Sequence, residues 1–304
     1  MDIRTLRYFL VTAQERNFTK AANKLCMAQP PLSRQIKLLE EELSVTLFIR
    51  NSRQLQLTEE GYFLKQQAEE ILLLIEKTEH QLEKMGNNDY GTISIGATES
   101  CGGSILPHLI EGFHEAAPHI RFQIWTGNSD EIQERLEKNL VDVAVVREPF
   151  NMEQYDRIFL NHEPWVIICN KEHFLAKRPE GVRVSELQDA SLIILIRQPI
   201  QNEINSWFNE IASERNIFCL YNSITSVMGF AEHNLGVIIC PESAKNLINR
   251  ETLTYRKIID PVHESGTYLV KKHLQLMATA TEKFWKYVEH QTKSNPSKYK
   301  ESMR

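Results

Sequence analysis

Thr19-Lys20-Ala21-Ala22-Asn23-Lys24-Leu25, then Gln29-Pro30-Pro31-Leu32-Ser33-Arg34-Gln35-Ile36, then Phe48-Ile49-Arg50-Asn51-Ser52-Arg53 decide the reading of the first sixty residues. In this order they form the pattern of a winged helix-turn-helix. Upstream, Ile3, Leu6, Phe9, Leu10 and Ala13 recur at three- and four-residue steps, which lays one apolar stripe along a first helix. Phe18, Ala21, Ala22 and Leu25 repeat the pattern over a shorter second helix, whose two alanines let a third helix cross closely. Cys26 to Ala28 reads as the tight turn. Pro30 fits a third helix only within its first turn, where its missing N–H is not needed. That helix is expected to bury Leu32, Ile36, Leu39 and Leu43. Its other face shows Gln29, Ser33, Arg34 and Lys37 with Gln35 beside them, groups suited to base edges and phosphates in a major groove. Leu47 to Ile49 and Gln54 to Leu57 read as two strands joined by Asn51-Ser52-Arg53, a hairpin that holds Arg50 and Arg53 beside the third helix.

Charge agrees with this division. Residues 1–57 hold nine Lys/Arg against five Asp/Glu, a local +4 in a chain of −5, so the remaining 247 residues carry −9. A basic reading head on an acidic body keeps DNA away from surfaces that should not touch it. A generic helical domain with a solvated basic face would share the amphipathicity. It would not require three helices, a tight turn, a basic third helix and an Arg-bearing hairpin in this order.

After the hairpin, Thr58 reads as an N-cap, with Glu59 and Glu60 near the positive end of the following helix dipole. Leu64, Ala68, Ile71, Ile75, Thr78, Leu82 and Met85 then step by four and three, a heptad seam that ends at Gly86-Asn87-Asn88. The alternative is a long amphipathic helix packed on its own domain. A pairing helix is favoured because two heads at fixed spacing gain through effective concentration.

Beyond residue 90 the pattern changes. Apolar runs (Thr92 to Ala97, Phe122 to Trp125, Val141 to Val146, Val166 to Cys169) alternate with helical stretches at 104–116 and 130–140. The alternation resumes at Leu192 to Ile196, Phe218 to Tyr221 and Val237 to Cys240, and Thr267 to Val270 with helix 276–290 closes the chain. This is βαβ patterning with a parallel sheet.

Along nearly its whole length the chain resembles the LysR-type transcriptional regulators. The resemblance rests on the head segments and Leu57-Thr58-Glu59-Glu60-Gly61. In the body it rests on Ile105-Leu106-Pro107, Leu140-Val141-Asp142-Val143-Ala144, His173-Phe174-Leu175-Ala176 with Val184-Ser185-Glu186-Leu187, and Asn234-Leu235-Gly236-Val237-Ile238-Ile239-Cys240-Pro241. It implies an α+β protein: a winged helix-turn-helix over residues 1–58, a linker and dimerisation helix over 59–88, and an effector domain over 89–304. That domain would be α/β, two-lobed and like a periplasmic binding protein, with lobe 1 at about 89–161 and 267–291 and lobe 2 at about 162–266. Also implied are double-stranded promoter DNA with interrupted dyad symmetry, a tetramer built as a dimer of dimers, contact with RNA polymerase, and control by a small effector. Gln29, Pro30, Ser33 and Arg34 match the family's recognition helix, and Arg50 and Arg53 its wing. Pro31 and Lys37 complete the expected DNA-binding set. Three departures stand out: Ala28 where the family usually has Ser, which removes a cap worth about 1 kcal/mol, and Pro31 and Glu60 where it usually has Ala.

In such a fold ligands bind beyond the carboxyl ends of the strands, between the lobes. The expected effector residues are Ser100, Cys101 and Gly102 after the first strand, Thr126 and Asn128 after the second, Arg147 after the third, and Arg197, Thr225 and Ser226 in the second lobe. Hydroxyls and N–H groups at helix starts suit an anion, and the arginines offer two carboxylate clamps. Each member has a plainer alternative as a helix cap or a surface ion pair. Glu99 argues against a simple anion pocket unless it faces away or binds an amino group, so carboxylates and amino-acid-like effectors both stand.

Five cysteines show no CxxC and no metal spacing, and their odd count points to a reducing cytoplasm. Cys26, Cys169, Cys219 and Cys240 are expected in the core. Cys101 is the candidate for a redox trigger. Ten histidines form no ligand cluster, so neither a metal nor a cofactor is expected, and no nucleotide-binding or nucleophile-elbow motif suggests an enzyme. Met1-Asp2-Ile3-Arg4 already enters a helix, which leaves no secretory signal or membrane partner to expect. The last fourteen residues read as a loose tail. A rival from another class is a cytosolic ligand-binding or enzymatic two-lobed domain that its N-terminal module only dimerises.

Overall fold

The computed structural model describes residues 1–50, 55–83, 90–208, 216–260, 262–275 and 277–294. Arg53, Met85 and the Gly86-Asn87-Asn88 stop lie outside the described residues, as do the side chains of Arg50 and Leu82. The chain divides into two compact units, Met1–Met85 and Gly86–Arg304.

In the first unit, α1 (Ile3–Glu15) is capped by Asp2, whose carboxylate accepts from the Thr5 N–H at 2.7 Å. It buries Leu6, Phe9, Leu10 and Ala13, but Ile3 is exposed, because the stripe begins one turn later than the spacing predicted. Asn17 caps α2 (Phe18–Lys24) in the same way, and Ala21 and Ala22 are fully buried at the helix crossing. Cys26 is not core. It occupies the turn at φ 53° and is exposed, so turn geometry outweighs its apolar neighbours. The third helix, α3 (Gln29–Leu43), starts on Ala28 without a side-chain cap, and Leu32, Ile36 and Leu39 are its buried stripe. β1 (Phe48–Arg50) and β2 (Leu55–Leu57) pair antiparallel, with Phe48 opposite Leu57. The Glu40 carboxylate accepts from the N–H groups of Leu47 (2.7 Å) and Phe48 (3.1 Å) and so ties α3 to this hairpin.

α4 (Glu59–Glu83) starts where Thr58 accepts from the Gly61 N–H at 2.9 Å. A Cβ at Gly61 would sit 2.3 Å from the Leu47 carbonyl oxygen, so glycine is required where helix and hairpin meet. The predicted heptad seam divides. Ala68 and Leu72 are buried in the unit's own core, with Leu64 and Ile75 packed against it, while Phe63, Ile71 and Leu74 are exposed on an adjoining face. One long helix therefore carries two apolar stripes, only one of which is covered within the unit.

In the second unit, β3 (Gly91–Ala97), α5 (Glu99–Ala116), β4 (Ile120–Thr126), α6 (Ser129–Glu137) and β5 (Val143–Arg147) build lobe 1, with β3 parallel to both β4 and β5. The sixteen-residue β6 (Tyr155–Asn170) then runs through both lobes. Lobe 2 adds β7 (Val182–Arg183), β8 (Leu192–Leu195), α7 (Gln198–Trp207), β9 (Ile217–Tyr221), α8 (Met228–Glu232), β10 (Val237–Pro241) and β11 (Leu253–Asp260). The chain returns along β12 (Glu264–Lys272), and the last described element, α9 (Thr279–Ser294), packs on the lobe 1 core through Phe284 and Val288. β6 pairs with β12 as far as Pro164 and with β10 and β11 from Trp165 onward, so the lobes change over inside one strand.

The apolar runs follow from two-sided burial. Ile167, Ile194 and Ile239 face the α7 side of lobe 2, and their neighbours Ile168, Ile193 and Ile238 face the α8 side. The sequence missed the first half of β6 and all of β11 because polar residues interrupt them, Arg157, Asn161 and Glu163 in β6 and Thr254, Arg256 and Lys257 in β11. Cys169 and Cys240 are core as expected, whereas Cys219 is half-buried on β9. Among the described residues no helix is long and apolar enough to cross a membrane.

Candidate functional site

On α3, Gln29, Pro30, Pro31, Arg34 and Lys37 are exposed and Ser33 is half-buried, on the side away from Leu32, Ile36 and Leu39. The two prolines stand in the first turn, where backbone N–H groups have no partner within the helix, so they cost it no hydrogen bond. The side chains of Arg34 and Gln29 make no hydrogen bond or ion pair with another described residue. Lys37 lies 3.5 Å from Glu41 one turn on, an exposed pairing of little energy. Leu38 is 46% exposed beside Arg34 and Lys37 and gives this face an apolar patch.

In the second unit, a small cavity of about 70 Å³, open to solvent, lies between the lobes. Of the predicted effector residues, Ser100, Asn128, Arg147 and Arg197 line it. Cys101, Gly102, Thr126, Thr225 and Ser226 do not. The helical stretch expected from residue 104 starts five residues earlier, because α5 already begins at Glu99 and leaves only Thr98 between it and β3. That turns Cys101 fully into the lobe 1 core. Gly102 sits within the helix, and Thr126 at the end of β4 faces solvent. The Ser226 hydroxyl donates to the Ser223 carbonyl at 2.6 Å, an ordinary local bond. Asn128 lines the cavity but also caps α6, accepting from Asp130 and Glu131. The walls missed from sequence are largely apolar (Trp165, Leu195, Ile200 and Tyr221), and only their shared face on the cavity identifies them.

Neither arginine stands open. Arg147 is 5% exposed and lies 3.0 Å from the Glu163 carboxylate, which is 1% exposed. The Arg147 guanidinium also donates to the Cys101 sulfur and the Ser243 hydroxyl, each at 3.2 Å, and the Ser243 N–H donates to Glu163 at 3.0 Å. Burial pulls the Arg147 pKa down, but Glu163 and Cys101 outweigh it and hold the pKa above its ordinary value. Burial pushes Glu163 up, but Arg147 and Ser243 outweigh this and keep it below the usual glutamate value. Arg197 reaches across the cleft with one edge of its guanidinium, Nε and Nη2 donating to the two Asp130 carboxylate oxygens at 2.9 and 2.6 Å, and Nη2 also donates to the Pro149 carbonyl at 3.0 Å.

Glu99, which the sequence left unresolved, crosses in the other direction. Its carboxylate accepts from the Ser223 hydroxyl (2.8 Å), the Ile224 N–H (2.8 Å) and the Thr225 hydroxyl (3.2 Å). Thr225 is thus a partner of Glu99 rather than a cavity wall. Both lobe 1 helices that open on the cleft carry, in their first turn, an acid bonded to lobe 2. Among the described residues no cluster of histidines, cysteines and carboxylates is placed to hold a metal.

Both units match known protein families. Residues 3–62 match the family described as bacterial regulatory helix-turn-helix protein, lysR family, and residues 86–293 match the LysR substrate binding domain. The chain is 32% identical over 247 residues to the transcriptional regulator BsdA of Bacillus subtilis, covering 79% of this chain and 84% of that protein. It is 28% identical to the transcriptional regulator BenM of Acinetobacter baylyi, covering 90% and 91%. The crystal structure of CbnR, a LysR family transcriptional regulator, shares the fold at a TM-score of 0.78 and 20% identity, covering 95% of this chain and 99% of that one. The chain belongs to the LysR family of DNA-binding transcriptional regulators, with a helix-turn-helix followed by an effector-binding domain.

Proposed function

We propose that this regulator binds promoter DNA through Gln29, Pro30, Pro31, Ser33, Arg34, Lys37 and the wing arginines Arg50 and Arg53, and that a small carboxylate or amino-acid-like effector in the interlobe cleft modulates this binding. The observation that carries the reading is the cleft itself. It has mostly apolar walls and is crossed by carboxylates and by Arg197, so a small polar molecule entering it must exchange with bonds that join the lobes. A ligand that prefers one lobe arrangement shifts the balance between arrangements by its differential affinity.

The proposed boundaries are 1–58 for the DNA-binding domain, 59–88 for the linker helix and 89–304 for the effector domain. The uncovered stripe of Phe63, Ile71 and Leu74 on α4 supports pairing with a second copy, and so a dimer of dimers. CbnR has been crystallised as a full-length protein with its target DNA, which supports a duplex partner here as well. This reading implies a cytoplasmic protein that acts beside RNA polymerase. A redox trigger is not favoured, because the fully buried Cys101 has no surface open to a dissolved oxidant.

Thermal unfolding of the full chain against organic acids, amino acids and inorganic anions tests the effector reading. A ligand at about 100 times its dissociation constant adds about 2.7 kcal/mol. The same ligand should change the salt-sensitive retention of the protein's own upstream DNA. A panel in which no compound shifts either quantity would count against a metabolite trigger.

A further inference from the structure

The two cleft arginines differ in what neutralises them. The counter-ion of Arg147, Glu163, is as deeply buried as the arginine, so that pair is sealed. The Arg197 side chain is 5% exposed, but its counter-ion Asp130 is 60% exposed and belongs to the opposite lobe. A buried guanidinium needs an anion, since removing its partner leaves an uncompensated charge away from water. It does not need this particular anion. Asp130 is already largely hydrated, so its hydration changes little when it is released to solvent. The Pro149 carbonyl holds Arg197 independently of Asp130 and keeps the fork in place during an exchange. Trp165, Leu195 and Ile200 share the cavity with Arg197 and offer contact to an apolar body behind the anionic group.

We propose that Arg197 is the anion-binding subsite of the cleft and that Asp130 is its exchangeable internal ligand. A small carboxylate with an apolar body takes the place of Asp130 on the guanidinium fork and releases lobe 1 from that contact. The Glu99 crossing is separate and still joins the lobes when Asp130 lets go. This inference rests on the reading of the cleft as the effector site and names the group within it that selects the ligand.

Acetate serves as the probe, as the smallest stand-in for the Asp130 side chain. Thermal unfolding of the full chain would be followed in about 100 mM sodium acetate and in equimolar sodium chloride, for the parent, Asp130→Ala and Asp130→Ala/Arg197→Gln. Acetate should raise the Tm of Asp130→Ala over chloride by about 2–4 °C. The parent, whose subsite is filled, and the double variant, which lacks it, should show no acetate-specific rise. An equal rise in all three, or none in Asp130→Ala, overturns the assignment. If the double variant does not fold, Asp130→Ala/Arg197→Lys replaces it. A lysine lacks the two-pronged fork, so an undiminished acetate shift there also overturns the proposal. The broader reading fails separately: acetate rescue through Arg197, with no organic acid altering DNA binding by the parent, keeps the subsite and rejects the effector. DNA binding that responds to an acid, without acetate rescue, does the reverse.

Discussion

Both units carry arginines at positions marked for recognition, and the two sets stand in opposite states. On α3, Arg34 projects from a helix whose other face is sealed by Leu32, Ile36 and Leu39, and it makes no bond to a described residue. In the cleft, Arg147 and Arg197 are buried and each is already bound to a carboxylate, from β6 and from α6 respectively. A group that reads an outside partner from a surface is left with its hydrogen bonds unspent. A group in a closing cleft has its bonds taken by the protein until something exchanges with them. The first state follows from local periodicity, and the second requires segments far apart in the chain to meet.

The sharpest way to break this contrast is Glu163→Gln, which leaves Arg147 buried without a counter-charge. The expected loss is about 3–5 kcal/mol from the second unit, measured by urea unfolding. A loss below about 1 kcal/mol would mean the pair is not committed as described. A pH series adds a signature. The Glu163 pKa is depressed in the folded protein, so its contribution is fully present above the ordinary glutamate value and is lost as pH falls through the folded value. That part of the acid destabilisation should vanish in Glu163→Gln.

The next effect lies on the other side of the comparison. Arg34→Ala should leave the Tm nearly unchanged and cost about 1–3 kcal/mol of specific DNA binding. Lys37→Ala should weaken binding to all sequences alike and flatten its salt dependence. If Arg34→Ala unfolds the first unit, the arginine is structural and the contrast fails. The smallest effect tests the uncapped start of α3. Ala28→Ser restores an acceptor at the N-cap and should stabilise the first unit by about 0.5–1 kcal/mol, read as a rise in urea midpoint.

The apolar stripes of the first unit were legible to within one turn, with Ile3 the main error, because a helix declares its buried face in its own spacing. The two-sided strands of the second unit were legible for the same reason. The first half of β6 was not, since Asn161 and Glu163 look like loop residues until β12, Arg147 and Ser243 are beside them. The α4 seam was half legible: the heptad spacing marked an apolar helix but not which of its two stripes its own unit would cover. In the cleft, Ser100, Asn128, Arg147 and Arg197 were found because they follow strands, where such folds gather their ligands. Cys101 was misplaced because a helix that begins at Glu99 turns its third residue inward.

By itself, then, the sequence determined the helix-turn-helix with its basic third helix and most of the alternating strands and helices that follow, and through its resemblance the family and the two-lobed plan. The elements themselves rest on contacts within a few residues or on repeats that short-range geometry enforces. Only the tertiary structure decided the partners of the charges. Glu99 meets the Ser223–Thr225 turn 124 to 126 residues away, and Arg197 meets Asp130 across 67 residues. Coulomb attraction and hydrogen bonding act over a few ångströms and are indifferent to chain distance, so no local pattern announces which carboxylate will neutralise which arginine.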